Sequence, residues 1–315
     1  MQRLAKSALL FIAIGLALYA GVYYAAEQLM VRTAHSNAFF KIATVRDDAI
    51  DWVVLGASHA MPLDFADFNT GIERATGLRI LNLAAPGAGP LYNRFVLEHF
   101  VRGHRARNLL YVVDSFAFYS RTWNEERFAD AKLLRRTPFE PAIARRLWDY
   151  TWHEGVDART VLDYVSGFSK INNSERFQRD VWEGEARFDR DYRPSATALS
   201  KRLAYLYPEQ TPEAGLRHYL ETFSSLIALA RREGMRVVVI KMPVPPAFHE
   251  QLPGEAAFDE AIVRLLATPD MGFHDFSLAI SEPGFYFDTD HLNRAGLTEF
   301  FARDLKPILV SGKGR

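Results

Sequence analysis

The sequence predicts an α/β fold: a three-layer domain on a parallel five-stranded sheet, with an N-terminal apolar helix ahead of it and a largely helical insert within it. Three observations lead there. Four short aliphatic or β-branched runs and a weaker fifth show little alternation, as strands covered on both faces do. Segments with apolar residues at helical spacing lie between them. One stretch, 117–211, breaks this rhythm between the third and fourth runs.

The chain has 315 residues, enough for one large domain or two small ones. Lys and Arg together number 38, as do Asp and Glu, so no basic excess is available to neutralise a polyanion, and nucleic acid is not an expected partner. There is no cysteine, which excludes disulfides, Cys-ligated zinc, iron–sulfur clusters and thiol nucleophiles, and leaves the compartment open.

The N-terminus bears on compartment. Residues 7–26 read SALLFIAIGLALYAGVYYAA, without a charge and long enough to span a bilayer core of about 30 Å. Tyr19, Tyr23 and Tyr24 lie toward its far end, where an aromatic belt belongs. We read 1–6 as a cytoplasmic N-terminus, 7–26 as a single transmembrane anchor in the inner (plasma) membrane, and 27–50 as a stalk. Arg3 and Lys6 place the N-terminus in the cytoplasm and the main domain in the periplasm, or outside the cytoplasm generally, although Arg32, Lys41 and Arg46 act against that orientation. A cleaved signal peptide and a buried helix of a soluble protein are the alternatives.

Strand-like runs then follow at 52–55 (WVVL), 79–83 (RILNL), 108–113 (NLLYVV), 236–240 (RVVVI) and, more weakly, 273–276 (FHDF). A helix is expected over 89–103, with Gly103 as its stop. Another starts at Thr211-Pro212-Glu213, an N-cap, an N1 proline and a first-turn acid, and ends at Gly234. Asn293 caps a last helix with Leu297, Phe301, Leu305 and Ile308 on its apolar face. The β-α alternation assigns 51–116 and 212–315 to the α/β domain and 117–211 to a cap or subdomain with helical pieces at 139–150, 158–168 and 196–207. The insert holds Trp123, Trp148, Trp152 and Trp182, which suit sugar stacking or simply a small core of its own.

Two clusters can carry chemistry. Gly56-Ala57-Ser58-His59 follows the first strand. Small neighbours on a tight strand-to-helix turn expose a nucleophilic serine and aim amides at an oxyanion, though a capping serine or a phosphate-cradling turn has the same composition. Asp288-Thr289-Asp290-His291-Leu292-Asn293 precedes the last helix. There Asp288 can reach His291 Nδ1 and fix its tautomer. The same residues also suit a turn and cap, or a hard-metal site of Asp288, Asp290 and Asn293 serving a phosphoesterase. In a parallel sheet both clusters lie at the same carboxyl edge, together with Asn82-Leu83-Ala84-Ala85-Pro86-Gly87 after the second strand.

These three blocks, in this order, resemble the SGNH/GDSL hydrolase superfamily over roughly 50–115 and 235–310. The resemblance implies a flavodoxin-like sheet and a triad of Ser58, His291 and Asp288, with Gly87 and the Ser58 amide in the oxyanion hole and neither cofactor nor metal. The third block departs from the family. Where an asparagine donor is expected the chain has Val113-Asp114-Ser115-Phe116, so Ser115 is the candidate substitute and Asp114 is expected to face elsewhere.

An N-terminal anchor ahead of such a body resembles the DltD-like proteins and, more loosely, those of polysaccharide O-acetylation. That implies a serine esterase or O-acyltransferase acting on acyl, chiefly acetyl, esters of a cell-envelope glycan, beside a membrane-bound O-acyltransferase. The missing asparagine keeps a non-catalytic glycan-binding or scaffold module open. His59 is expected to point away along its helix. His249, in the Pro-rich loop 242–249, is a candidate to line the cleft. Lys132, Arg135, Arg136, Arg145 and Arg146 form a basic cluster suited to headgroups, an anionic polymer or plain solvent.

Overall fold

Short runs of branched and aliphatic residues build the sheet, and helices bury both of its faces. The computed structural model describes residues 1–46, 50–130, 134–208, 213–267 and 271–311. Strands β1 (Ile50–Gly56), β2 (Ile80–Asn82), β3 (Ala106–Val112), β4 (Arg236–Lys241) and β5 (Met271–Asp275) pair in the order β2-β1-β3-β4-β5. Every neighbouring pair is parallel. All five expected runs are strands.

The lack of alternation has a direct cause. Trp52, Val53, Val54 and Leu55 are successive residues of β1, and all four are buried. One face of the sheet is covered by the helices Pro90–Phe100 and Glu213–Arg232, where Phe223 packs on Tyr111 of β3 with ring centroids 4.6 Å apart. On the other face Trp52, Val54 and Leu110 join one apolar cluster with Ile72 of Phe68–Thr76 and with Leu297, Phe300 and Leu309 near the C-terminus. Trp52 Nε1 also donates to Leu309 O at 3.2 Å. The central strands thus have apolar partners both above and below, which is the three-layer arrangement, while the edge strand β5 is only partly covered.

The C-terminal helix shows how local geometry shifts a pattern. Arg294–Phe300 is α-helical, Phe301–Leu305 forms one wider π turn, and Lys306–Ser311 resumes the α-helix. The extra residue in that turn sets Phe300 rather than Phe301 into the core, with Leu297 before it and Leu305 after it. Asn293 caps the helix as expected, its Oδ1 accepting from the Gly296 amide at 2.9 Å. The Thr211-Pro212 start lies outside the described residues, and the helix is described from Glu213.

The chain divides into two units, Met1–Ala43 with Phe128–Asp180, and Thr44–Arg127 with Val181–Arg315. The segment expected as one insert, 117–211, is therefore shared between them. In the first unit the N-terminal helix runs Gln2–Thr33, past the apolar stretch, and Ala38–Thr44 forms a second helix with Phe39 wholly buried, where a plain stalk was expected. Gln2–Thr33 is long and apolar enough to cross a membrane, and among the described residues it alone is. Pro141–His153, Ala158–Ser166 and Phe168–Ile171 complete this unit.

β1 has β2 on one side and β3 on the other, so the chain reverses its direction of travel across the sheet there. A crevice opens beyond the carboxyl ends of such strands. Gly56, at the end of β1, has φ +147° and pairs with Val112. A Cβ on it would stand 2.7 Å from Val112 O, so a side chain must push β1 and β3 apart. Gly56→Ala is accordingly expected to destabilise the fold by about 1–3 kcal/mol, read as a lowered midpoint in chemical denaturation.

Candidate active site

Beyond β1 the backbone turns sharply. Ala57 is extended, and Ser58 begins a 3₁₀ turn, so the Ser58 amide has no acceptor within that turn. Ser58 is 5% exposed and its side chain points to His291. The Ser58 Oγ to His291 Nε2 distance is 2.9 Å. The other face of the imidazole is held from its own loop: His291 Nδ1 lies 2.9 and 3.1 Å from the two carboxylate oxygens of Asp288.

Local backbone geometry explains that loop. Asp288 Oδ1 accepts from the amides of Asp290 at 3.1 Å and His291 at 2.9 Å, which winds the Asp-x-x-His segment into a tight turn. The antiparallel bridge between Tyr286 and Leu292 closes it at the base. Phe287 stacks on the imidazole at 5.4 Å between ring centroids, with the planes 8° apart, and Trp182 meets it edge-on at 5.2 Å. The ring is thus fixed by hydrogen bonds in its plane and by aromatic contacts outside it. Burial works against the Asp288 charge, but His291 and the hydrogen bonds around the carboxylate hold its pKa below the usual range.

A second buried network adjoins the first. His59 does not point away along the helix: its ring lies 4.7 Å from that of His291. The reason is two carboxylates. His59 Nδ1 stands 2.6 Å from Asp114 Oδ1, and Nε2 faces Asp290 Oδ2 at 3.2 Å. Asp114, expected to face elsewhere, is thus the partner of His59. Burial alone would lower the His59 pKa, but Asp114 and Asp290 outweigh it and raise the value to about 10. Asp290 is wholly buried, and Arg202 grips both its oxygens, Nε at 3.0 and 2.9 Å and Nη2 at 2.7 Å. Burial opposes its charge too, but His291, Arg202 and His59 hold its pKa well below the usual range.

The metal reading finds little support in this chemistry. Asn293, one of the expected ligands, has its oxygen on the Gly296 amide and its Nδ2 on Gly284 O at 2.8 Å and Arg190 O at 3.1 Å. His59, Asp290 and His291 have ligand atoms close enough together for an ion. Yet two carboxylates keep His59 protonated, and Arg202 already neutralises Asp290, so neither offers the lone pairs a cation needs.

The oxyanion candidates divide. Ala85 N donates to Gly56 O at 3.3 Å, so Ser58 and Gly87 each stand two residues beyond one shared hydrogen bond. Gly87 has φ +60°, and a Cβ there would lie 2.6 Å from the Trp123 ring. Ser115 is otherwise engaged. Its hydroxyl donates to Glu255 Oε2 and lies 2.8 Å from Tyr207 Oη, so its single proton is not available to an oxyanion. The expectation that Ser115 replaces the missing asparagine is therefore corrected.

The tryptophans also separate. Trp182 touches His291. Trp123 is 1% exposed, with Nε1 donating to Leu206 O at 2.8 Å, so it seals the Gly87 turn and offers no free face. Trp148 and Trp152 belong to the other unit, where their exposed rings meet edge-on at 5.9 Å. A cavity of about 30 Å³ beside His59 and Asp114 has room for a water molecule, and Phe248, not His249, lines it. The basic cluster is not one face. Arg135 bonds to Glu175 at 2.8 Å, Arg136 is buried and pairs with Asp180 at 3.2 Å, and Lys132 lies outside the described residues.

No protein-family model matches this chain, and no curated protein matches it. Among solved structures, a candidate acylhydrolase from Bacteroides fragilis aligns with a TM-score of 0.42 and 10% identity, covering 86% of this chain and 95% of that one. A candidate platelet activating factor from Streptococcus pneumonia aligns with a TM-score of 0.39 and 10% identity, covering 97% and 99%. At these scores the likenesses add nothing to the reading of the site, which stands on its own geometry.

The His59 network sets a pH signature. The folded state holds the His59 proton up to about pH 10, whereas an unfolded chain releases it near 6.5. Its contribution is therefore complete below pH 6.5 and declines as pH rises toward 10, by at most about 1.4 kcal/mol per pH unit. The stability gap between wild type and His59→Gln, from urea unfolding at a series of pH values, is expected to shrink across that window. A gap that stays constant would show that His59 is not held charged.

Proposed function

We propose that the chain is a serine esterase or O-acyltransferase of the SGNH/GDSL kind, with Ser58 as nucleophile, His291 as general base and acid, and Asp288 as orienting carboxylate. One observation carries this reading: Ser58 Oγ, the two nitrogens of His291 and Asp288 form an unbroken line with both hydrogen bonds at 2.9 Å. A buried hydroxyl on an imidazole that is itself oriented by a carboxylate is the arrangement of an activated nucleophile.

The steps follow from those positions. His291 Nε2 takes the Ser58 proton as Oγ attacks an acyl carbonyl. The carbonyl oxygen gains the electron pair, and the amides of Ser58 and Gly87 hold it. Asp288 stabilises the imidazolium through Nδ1. His291 then gives its proton to the leaving alcohol, and the acyl group stays on Ser58. Water or a sugar hydroxyl attacks next, losing its proton to the same nitrogen, and Ser58 is released. Trp182 beside His291 supplies an aromatic wall that excludes water and can stack on a sugar ring.

The finer reading places the reaction at the cell envelope. The apolar helix Gln2–Thr33 supports a single-pass anchor, with the N-terminus cytoplasmic and the catalytic body outside the cytoplasm. Together with the resemblance to DltD-like and polysaccharide O-acetylation proteins, this favours an acyl ester, chiefly acetyl, of an envelope glycan as substrate and a membrane-bound O-acyltransferase as partner. A second reading, a non-catalytic glycan-binding module, draws on Ser115, whose hydroxyl is tied to Glu255 and leaves the oxyanion with main-chain donors alone.

Two measurements test the enzyme reading. A fluorophosphonate probe is expected to label wild type and not Ser58→Ala, while a folded but unlabelled wild type would favour the binding module. Asp288→Asn is expected to lower kcat on p-nitrophenyl acetate by about ten-thousandfold, because the amide leaves His291 in the wrong tautomer.

A further inference from the structure

In the first unit, the junction between the helices Ala158–Ser166 and Phe168–Ile171 reaches far along the N-terminal helix. Tyr19 Oη donates to Ser166 O at 2.8 Å. One turn on, the Tyr23 ring lies under Gly167, where an added Cβ would stand 2.4 Å away from it. Tyr19 is seven residues short of Ala26, the end of the uncharged stretch, which is about 10 Å of helix at the standard rise. The junction therefore stands at a depth where the N-terminal helix is itself apolar.

Its outward side chains match that depth. Leu162 is 68% exposed, Val165 45% and Phe168 62%. Between 160 and 171 the charged residues are Asp163 and Lys170, and both turn inward. Asp163 Oδ1 accepts from the Ser169 amide at 2.8 Å, and Lys170 is buried, donating to Glu27 and to Thr137 O at 2.9 Å. A water-facing helical tip puts its charges outside and its apolar groups inside. Here the order is reversed, as lipid requires.

We infer that residues 162–168 enter the apolar layer of the bilayer beside the N-terminal helix, as a second membrane contact that does not span it. This rests on the reading of Gln2–Thr33 as a membrane anchor. The occupant of the surface is lipid, because the exposed side chains continue the apolar surface of the anchor at the level of Tyr19, and no charge there asks for a protein partner. The tip ties the unit to the membrane at two points instead of one, which fixes how it is tilted about the anchor.

The chain has no cysteine, so an introduced one is its sole thiol. Full-length Leu162→Cys, Val165→Cys and Phe168→Cys variants, spin-labelled in phosphatidylethanolamine–phosphatidylglycerol vesicles, report access to oxygen against a water-soluble nickel chelate. Leu16→Cys, in the anchor, is the lipid reference. Arg264→Cys, whose side chain is 73% exposed, is the aqueous reference. The expected result is an oxygen-to-nickel ratio at 162, 165 and 168 near that of Leu16→Cys and several-fold above that of Arg264→Cys. Ratios at the aqueous level with Leu16→Cys still lipid-like overturn the second membrane contact and leave the anchor standing. That result would also follow if a partner protein covers this surface. A water-like Leu16→Cys overturns the anchor and the second contact together.

Discussion

The contact between Ser58 and His291 joins groups 233 residues apart in the chain, and the site exists only because the sheet brings them together. Ser58 is held by β1, through a turn whose position depends on Gly56 lying against Val112 of β3. His291 is held by the loop ahead of the last helix, whose Leu297 and Phe300 sit in the same apolar cluster as Trp52 and Val54 of β1. Serine and imidazole are therefore anchored to one core from opposite ends of the sequence. A 2.9 Å contact between groups so far apart in the chain depends on the close packing of this core, because a shift of either anchor by a few tenths of an ångström is felt at the hydrogen bond.

Two carboxylates stand near one imidazole, and the surrounding charges give them different roles. Asp288 and Asp290 both approach His291 Nδ1, at 2.9 and 3.5 Å. Left alone, two such anions would repel and one would take up a proton. Arg202 and His59 prevent this by neutralising Asp290 from two sides, with Asp114 completing the charge on His59. Asp288, part-buried, is then left as the carboxylate paired with His291 Nδ1. The buried chain Arg202–Asp290–His59–Asp114 runs beside this pair. It sets the field around the His291 imidazole and flanks that ring, with His59 4.7 Å from it between ring centroids. Removing one member leaves its neighbour buried and unpaired, at a cost of about 3–5 kcal/mol.

How much of this could be read in advance depends on sequence distance. The strands were legible because their burial on both faces leaves unbroken apolar runs, as in 52–55 and 237–240. Ser58 and the pair Asp288 and His291 were legible because each sits in a local motif whose spacing has a mechanical meaning. Arg202 was not: it meets Asp290 across 88 residues, from a helix whose own pattern shows only an ordinary polar face. His59 was misplaced because helical direction alone sends it outward, whereas Asp114 and Asp290 pull it in. Ser115 was misassigned for the same reason. Its partners Glu255 and Tyr207 come from distant segments, and a hydroxyl's proton goes to the nearest strong acceptor. In the C-terminal helix a single π turn moved Phe300 into the place foreseen for Phe301. Contacts between remote segments and local departures from ideal geometry leave no periodic trace.

Under the proposed acyl chemistry, with Ser115 committed to Glu255, stabilisation of an oxyanion would fall to main-chain amides, and that changes which residues matter. A side-chain donor can be lost by one substitution, at about 2.7–4 kcal/mol. A backbone amide cannot be lost that way, but it can be misplaced, and its position is set by the residues that let the chain pass close by. Gly87 lies under Trp123, and that ring cannot retreat: its Nε1 is bonded to Leu206 O, and Phe116 packs edge-on against it at 5.3 Å. A side chain at 87 would therefore move the loop rather than the tryptophan, carrying the amide with it. Gly56 plays the same part for the Ser58 amide against the immovable backbone of β3. Trp123, read from sequence as either a surface for sugar or part of a small core, is thus the wall that fixes where the Gly87 amide points.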